Sequence, residues 1–487
     1  MKLKKSIPYI IFSIISPFLL KGLGVPINIF NFVSIALILS LAYNIKWLYP
    51  LFGILIILIS LYYPTGDLFG RPNSGYFASL YYTNLRESVE YIKQLNYYQT
   101  SISLLIILLT LITFFYRKKI EQKKHNILKI FLLIILIHYS FIPSYSYNIK
   151  KSFDIFIKEK DSLNNKEYPN WIIKKSDNKT NINYILIIGE SVRKDYLSLY
   201  GYYHNTTPFL NNENGIFIDG LISPGPNTAT SLTRMLTKSE NNNIKIANNI
   251  ISLANMANIS TYWISNQGTF GKYDSPISSI AVNSNFSYFI NEKSFTTITN
   301  DDFNLLPLLN KIIESNKKKK LIVIHMMGSH PKTCERLHGF KNSFNDKINN
   351  KDISCYLATI HKLDTFIKEI VLKMKAEKQP YSILYISDHG MDISNESPYI
   401  KVNNNYKQNY EVPLFILDNQ MKDRIYIKRK ISGFNFIDFF SNWIGISTNQ
   451  LNNYKLTEFP EDQDIEIWNW NRIIKYEKLK EQAPINK

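Results

Sequence analysis

The chain has 487 residues, enough for two or three domains. Its formal net charge of +18 suits an anionic partner, either nucleic acid or a lipid or glycan surface. Two cysteines, Cys334 and Cys355, are too few for a structural zinc site.

Apolar residues gather in the first 143 positions. Five stretches, 7–22, 27–45, 47–63, 101–116 and 127–143, come near the roughly 17–25 residues that a spanning helix needs. The first carries Pro8 and Pro17 and follows Lys2, Lys4 and Lys5, as a signal peptide would. No small-residue cleavage pattern follows it and a second apolar run begins almost at once, so it reads as a retained helix. Basic residues set the orientation: the N-terminal lysines, Lys46, and Arg117, Lys118, Lys119, Lys123, Lys124 and Lys129 all fall on the cytoplasmic side of a five-span arrangement. Residues 144–487 are then extracytoplasmic, which argues against nucleic acid and for a membrane or envelope partner. The loop at 64–100 falls on that side too. Its tyrosines (Tyr76, Tyr81, Tyr82, Tyr91, Tyr97, Tyr98) suit either an interfacial segment or aromatic packing within the loop.

Residues 144–180 read as a connector. Phe153, Ile155, Phe156 and Ile157 alternate with lysines as in a helix lying on a membrane surface, and Pro169 with Lys174–Thr180 ends it. Residues 181–487 read as a soluble domain with strands at Ile182–Ile188, Thr261–Ile264, Leu321–Ile324, Tyr381–Ile386 and Val412–Leu417. Helical or mixed segments such as Ile244–Met256 and Ala358–Met374 separate them. That alternation predicts an α/β domain with a mostly parallel sheet. The polar tail after about Asn449 is expected to be peripheral. Outside the cytoplasm Cys334 and Cys355 can bridge, closing the loop after His330; the other reading is two unpaired buried thiols.

Ligands of such sheets collect at the carboxyl ends of the strands. Glu190 follows Tyr184–Gly189 directly, as a metal ligand or as a helix N-terminal charge. Ser387-Asp388-His389-Gly390 ends the fourth strand. Asp388 and His389 reach one ion if the chain turns sharply at Gly390; otherwise they are a cap and a surface histidine. Pro224-Gly225-Pro226 prevents regular structure before a helix that starts near Thr228. There Thr228 is a nucleophile beside a phosphate-binding helix N-terminus, or simply the helix N-cap. His330, in Gly328-Ser329-His330, suits phosphate binding or protonation of a leaving alkoxide. His325 suits a buried structural histidine equally well.

Together these motifs, with Gly189–Tyr202, Thr206–Leu210, Ser223–Thr228, His325–Pro331 and Ser387–Gly390 in this order and spacing, resemble the phosphoethanolamine transferases of the alkaline phosphatase/sulfatase superfamily. The resemblance covers nearly the whole chain. It implies a helical membrane domain of five spans (1–143), the membrane-surface connector (144–180) and a sulfatase-like α/β domain (181–487) in the periplasm, anchored in a bacterial inner membrane. It implies zinc held by Glu190, Thr228, Asp388 and His389, Thr228 as nucleophile, and His330 near the substrate phosphate. The reaction it implies moves phosphoethanolamine from phosphatidylethanolamine to lipopolysaccharide or another envelope glycan. One departure stands out: Met391–Glu411 lacks the histidine many members carry there, which leaves open a second metal and the usual leaving-group acid. A phosphoglycerol transferase, a sulfatase-like hydrolase and a catalytically dead membrane scaffold are the alternatives. No Cys/Ser-x-Pro-x-Arg motif lies near Thr228 to support a sulfatase.

Overall fold

The computed structural model describes every residue except 1, 83–87, 89–91, 93–94, 96, 118–125, 165–167, 177–181, 241–242, 270–275, 293–299, 316–318, 397–398, 453, 455–456, 471 and 487. Tyr91, Lys118, Lys119, Lys123 and Lys124 lie outside the described residues. The chain divides into two compact units. One is formed by residues 1–83 and 87–157, the other mainly by 158–487.

The first unit is helical: α1 (Lys2–Gly22), α2 (Ile29–Tyr43), α3 (Tyr49–Phe69), α4 (Ser74–Tyr82), α5 (Tyr97–Arg117), α6 (Asn126–Tyr139) and the start of α7 (Ile142–Asn164). Each of the five apolar stretches forms a helix. Two of them, at Tyr49–Leu68 and Tyr97–Arg117, are long and apolar enough to cross a membrane alone. The helices at Ser6–Gly22 and Ile29–Tyr43 are shorter. The last reaches span length only as a pair with the following helix, bent by 58°. Polar contacts mark the two ends of this bundle. Arg117, at the end of α5, donates to the carbonyls of Ile45 and Lys46 and stacks on Tyr49. At the other end Lys21 pairs with Asp67 at 2.8 Å, and Gln99 donates to the same carboxylate. In the tyrosine-rich loop, Tyr76 packs on Tyr62 and Tyr81 on Phe156, while Tyr97 and Tyr98 are exposed.

The second unit is built on one sheet: β1 (Ile182–Gly189), β2 (Gly215–Ile222), β3 (Ser260–Thr269), β4 (Phe286–Glu292), β5 (Lys319–His325), β6 (Tyr381–Ser387), β7 (Glu411–Asp418) and β8 (Arg424–Ser432). The order is β8-β2-β7-β6-β1-β5-β3-β4. Only β7 runs against its neighbours, so the sheet is mixed but mostly parallel. β1, β5 and β6 are near-continuous apolar runs because both their faces are covered. Ile185, Ile187, Ile322, Ile324 and Ile383 pack on one side, with Phe366, Ile367 and Ile370 of a long helix. Leu186, Ile188, Val323, Leu384 and Ile386 pack on the other, against Leu232, Leu253 and Phe440.

The five expected strands are present. Three more, β2, β4 and β8, went unread because Asp219 and Gly220 interrupt the first and polar or basic residues alternate through the others. Ile244–Met256, read as helical or mixed, is mixed: a strand through Asn249 and then a helix from Ile250.

Two expectations need correction. Residues 170–176, read as connector, belong to the soluble unit. Trp171 is buried there, and Ile173–Ser176 pairs with Ile446–Thr448. The tail after Asn449 is not peripheral: Ile465, Ile467 and Tyr476 form an apolar cluster with Ile222 and Tyr410. Its apolar positions are too widely spaced to announce a core element.

Cys334 and Cys355 form a disulfide that ties the loop after His330 to the helix Lys351–Ala376. Closing a loop with a sequence separation of 21 restricts the unfolded chain by about 3 kcal/mol. Cys334→Ser/Cys355→Ser is expected to lose about that much stability, read by urea unfolding in detergent. Dithiothreitol should destabilise the wild type alone.

Candidate metal centre

The site sits at the carboxyl ends of β1 and β6. Gly189 is opposite Ser387, so the residues that follow, Glu190 and Asp388-His389, emerge side by side. Glu190, Asp388 and His389 are all buried, and their ligand atoms lie within 4.8 Å of one another. Thr228 joins them from the first residue of α8 (Thr228–Met235). Its Oγ1 donates to Glu190 Oε2 at 3.0 Å and lies 3.4 Å from His389 Nε2. The N-cap of α8 is Asn227, whose side chain accepts from Thr230 N at 2.9 Å. Thr228 is thereby released from capping. It is half-buried, with its hydroxyl turned to Glu190 and His389.

Backbone geometry fixes the two carboxylates. Ser191 adopts a left-handed conformation (φ 62°), which lets its N–H reach Asp388 Oδ1 at 2.8 Å and its Oγ reach Glu190 Oε1 at 2.6 Å. Such a conformation is costly for a residue with a side chain, and these bonds offset it. Tyr356 holds the same turn by donating to Ser191 O and accepting from Arg193 N, both at 2.9 Å. The sharp turn expected at Gly390 takes another form. Its need for glycine is clearance, since a Cβ there would lie 2.0 Å from Gln408 O.

His389 Nδ1 lies 2.7 Å from Gly390 O, so Nδ1–H donates there and Nε2 is the nitrogen that faces the site. Nε2 is 3.4 Å from Glu190 Oε1 and 3.2 Å from Asp388 Oδ2. Asp388 Oδ2 is buried and accepts no hydrogen bond. Burial, then the Glu190 carboxylate, pushes the Asp388 pKa up to about 7. Burial works against charge on His389 as well, yet Asp388 and Glu190 raise its pKa to about 9. Glu190 is held below the ordinary carboxylate range despite burial, chiefly by His389. Two buried carboxylates, an imidazole nitrogen, a hydroxyl and an orphaned acceptor oxygen are a donor set that fits a zinc-like cation.

His330 is not among the converging ligands. It is half-buried, with Nδ1 3.3 Å from Arg336 Nη2, and near enough to Glu190 to favour its ionised form. Its loop is held against β1. Ser329 N donates to Glu190 O at 3.0 Å. Gly328, at φ 49°, lies so close that a Cβ would be 3.0 Å from the Glu190 backbone. Sequence reading missed two residues that hold these parts. Buried Asp302 accepts from Met327 N at 2.8 Å and Gly328 N at 2.9 Å. Gln267 donates to Met326 O at 2.7 Å and to Glu190 Oε2 at 3.4 Å. Neither lies in a motif; the signal available was their place at strand ends or helix starts. His325 is buried edge-on against Trp263, and burial lowers its pKa to about 4. That is a neutral structural histidine.

The sulfatase family model matches residues 182–446, the span that carries this whole site. Phosphoethanolamine transferase OpgE of Escherichia coli (strain K12) is 27% identical over 463 residues, covering 88% of this chain and 87% of its own. A putative phosphoethanolamine transferase of Haemophilus influenzae is 32% identical over 352 residues, covering 69% and 72%. Among solved structures, the integral membrane lipooligosaccharide phosphoethanolamine transferase A of Neisseria meningitidis aligns with 91% of this chain and 97% of its own at a TM-score of 0.64. The C-terminal periplasmic domain of EcEptC from Escherichia coli, in complex with Zn, aligns with 64% and 97% at 0.56. These two are 15% and 21% identical, so they speak for the fold. A matching family model over more than half the chain and a full-length likeness in sequence support one conclusion: this chain belongs to the phosphoethanolamine transferases of the alkaline phosphatase/sulfatase superfamily.

Proposed function

We propose that this chain is a bacterial inner-membrane enzyme with five spans and a periplasmic catalytic unit. It moves phosphoethanolamine from phosphatidylethanolamine to a hydroxyl of an envelope acceptor, lipopolysaccharide or another glycan. The observation that carries this reading is the placement of Thr228 Oγ1 at a helix N-terminus, 3.0 Å from Glu190 and 3.4 Å from His389. Glu190, Asp388, His389 and Thr228 would hold zinc, which when bound supplies positive charge to stabilise anionic oxygen.

The chain's own residues then have defined tasks. The first turn of α8 directs its N–H groups and the positive end of its dipole at the phosphate. Glu190 Oε2 holds the Thr228 proton, leaving Oγ1 lone pairs for phosphorus. As the Oγ1–P bond forms, the bond to diacylglycerol breaks and its alkoxide takes a proton. His330, on the loop pressed against Glu190, is the residue we assign to that proton. An acceptor hydroxyl, giving its proton to His330, then attacks the same phosphorus; the Oγ1–P bond breaks and Oγ1 takes back the proton held by Glu190, which regenerates Thr228. Because Met391–Glu411 holds no histidine, His330 serves both steps in this reading.

Mass spectrometry of lipids and envelope glycans from cells with and without the protein tests this. A phosphoethanolamine increment on an envelope glycan, with matching diacylglycerol release, is the expected result. A glycerophosphate increment would make the chain a phosphoglycerol transferase. No increment on any envelope molecule would leave a membrane scaffold.

A further inference from the structure

Residues 480–486 have no helix or strand of their own, yet they are bound by side chains from three places around the metal centre. The residue that makes most of these contacts is Gln482. Its Oε1 accepts from Arg193 Nη1 at 2.6 Å and from Ile393 N at 3.3 Å, and its Nε2 donates to Asp392 Oδ1 at 2.6 Å. Arg193 lies three residues after Glu190, and Asp392 three residues after His389. One carboxamide therefore joins the two segments that deliver the buried ligands. The main chain of Gln482 adds two more bonds. Its carbonyl accepts from Arg193 Nη2 at 3.0 Å, and its N–H donates to Gln408 Oε1 at 2.7 Å. Gln408 and Asn409 are the residues against which the Asp388-His389-Gly390 turn is set. Gly390 N donates to Asn409 O at 2.8 Å, and the Gln408 carbonyl leaves no room for a side chain at Gly390.

These contacts are polar and geometrically specific, and Arg193 is fully buried, its other bonds going to Asp195 and to the Met391 carbonyl at 3.4 Å. Removing the carboxamide would leave Arg193 Nη1 with only its 3.4 Å bond to Met391 O and Asp392 with only Asn403 and Lys401 among the described residues, so the direct join between the two segments would be lost. We infer that residues 480–486 are a strap and that Gln482 is a positioning residue. It sets the Glu190 segment and the Asp388-His389 segment at the separation the metal centre requires. The inference rests on the reading of Glu190, Asp388 and His389 as metal ligands.

The test measures zinc affinity by competition with a chelator, and kcat and KM for phosphatidylethanolamine, on the full-length protein in detergent. Gln482→Met keeps the volume and removes every side-chain hydrogen bond. Gln482→Glu keeps the bond to Arg193, and so holds the tail, but loses the donor to Asp392. Both are expected to weaken zinc binding about tenfold, the lower end for residues that act through a ligand's neighbours. kcat should fall in parallel while KM stays near the wild-type value. Tyr202→Phe is the control. It removes the hydrogen bond to the Ile485 carbonyl, farther along the strap, and should leave zinc affinity unchanged.

Wild-type affinity and kcat in both Gln482 variants would overturn the proposal. An equal loss in Tyr202→Phe would also overturn it, reducing the strap to general tail docking. Should the wild type bind no zinc, the metal-centre reading falls instead. Turnover then decides the strap: a tenfold lower kcat in the Gln482 variants beside a normal Tyr202→Phe sustains it, and equal turnover in all three removes it.

Discussion

Thr228→Ala is expected to abolish phosphoethanolamine transfer, by on the order of 10⁴-fold or more, as loss of a covalent nucleophile does elsewhere. The fold should survive. The Thr228 hydroxyl makes its hydrogen bonds to Glu190 and His389, and the helix it begins is capped by Asn227. Had Thr228 been the N-cap, the same substitution would have cost about 1 kcal/mol of stability. The two roles therefore separate cleanly: activity lost with thermal stability unchanged identifies a nucleophile. Thr228→Ser keeps an oxygen on Cβ and should retain part of the rate. Asn227→Ala should show the reverse pattern, with a loss of about 1 kcal/mol and measurable transfer. The assay is transfer from phosphatidylethanolamine in proteoliposomes. Normal transfer by Thr228→Ala would remove the nucleophile assignment and with it the two-step mechanism.

Much of this centre was legible in the sequence because its parts lie at the ends of strands that betray themselves by apolar runs. Glu190 and Asp388-His389 each follow such a run directly, and Pro224-Gly225-Pro226 marks the break before the Thr228 helix. What was not legible is the set of residues that hold those parts still. Ser191 carries no sign of its left-handed backbone, which is imposed by Asp388, 197 residues away. Tyr356 acts from the second turn of a helix, and Asp302 from before another. Gln482 acts from a tail whose polar composition suggested exposure. Each is tied by polar contacts to residues far away in the sequence, a relation that no local periodicity encodes. The mostly parallel sheet was legible, but which strand runs antiparallel was not, for a related reason. Whether β7 runs with or against β6 depends on how the chain returns, not on β7's own residues.

Zinc removal should reverse the stability order of the wild type and Asp388→Asn. In the metal-free protein Asp388 Oδ2 is buried without a hydrogen bond, and burial with the nearby Glu190 carboxylate outweighs the His389 ring 3.2 Å away in raising its pKa. Asparagine keeps Oδ1 for the N–H groups of Ser191 and His389, each at 2.8 Å, and removes one of the two negative charges. The metal-free variant is therefore expected to be more stable than the metal-free wild type by about 1–3 kcal/mol, the cost of an unsatisfied buried group. Adding zinc favours the wild type. A single four-ligand site should take up about one ion per chain, and at about 100 times its Kd that binding adds about 2.7 kcal/mol to the folded state. The variant, lacking a ligand charge, should gain almost nothing and show no transfer. Unfolding curves with and without chelator, beside metal analysis of the purified protein, read both halves. A wild type that carries no metal yet transfers normally would remove the metal centre altogether. A variant less stable than the wild type when both are metal-free would mean that Asp388 is held for folding. The predicted crossing is the physical signature of a site kept at a cost to the apo fold because its carboxylates are arranged for a cation.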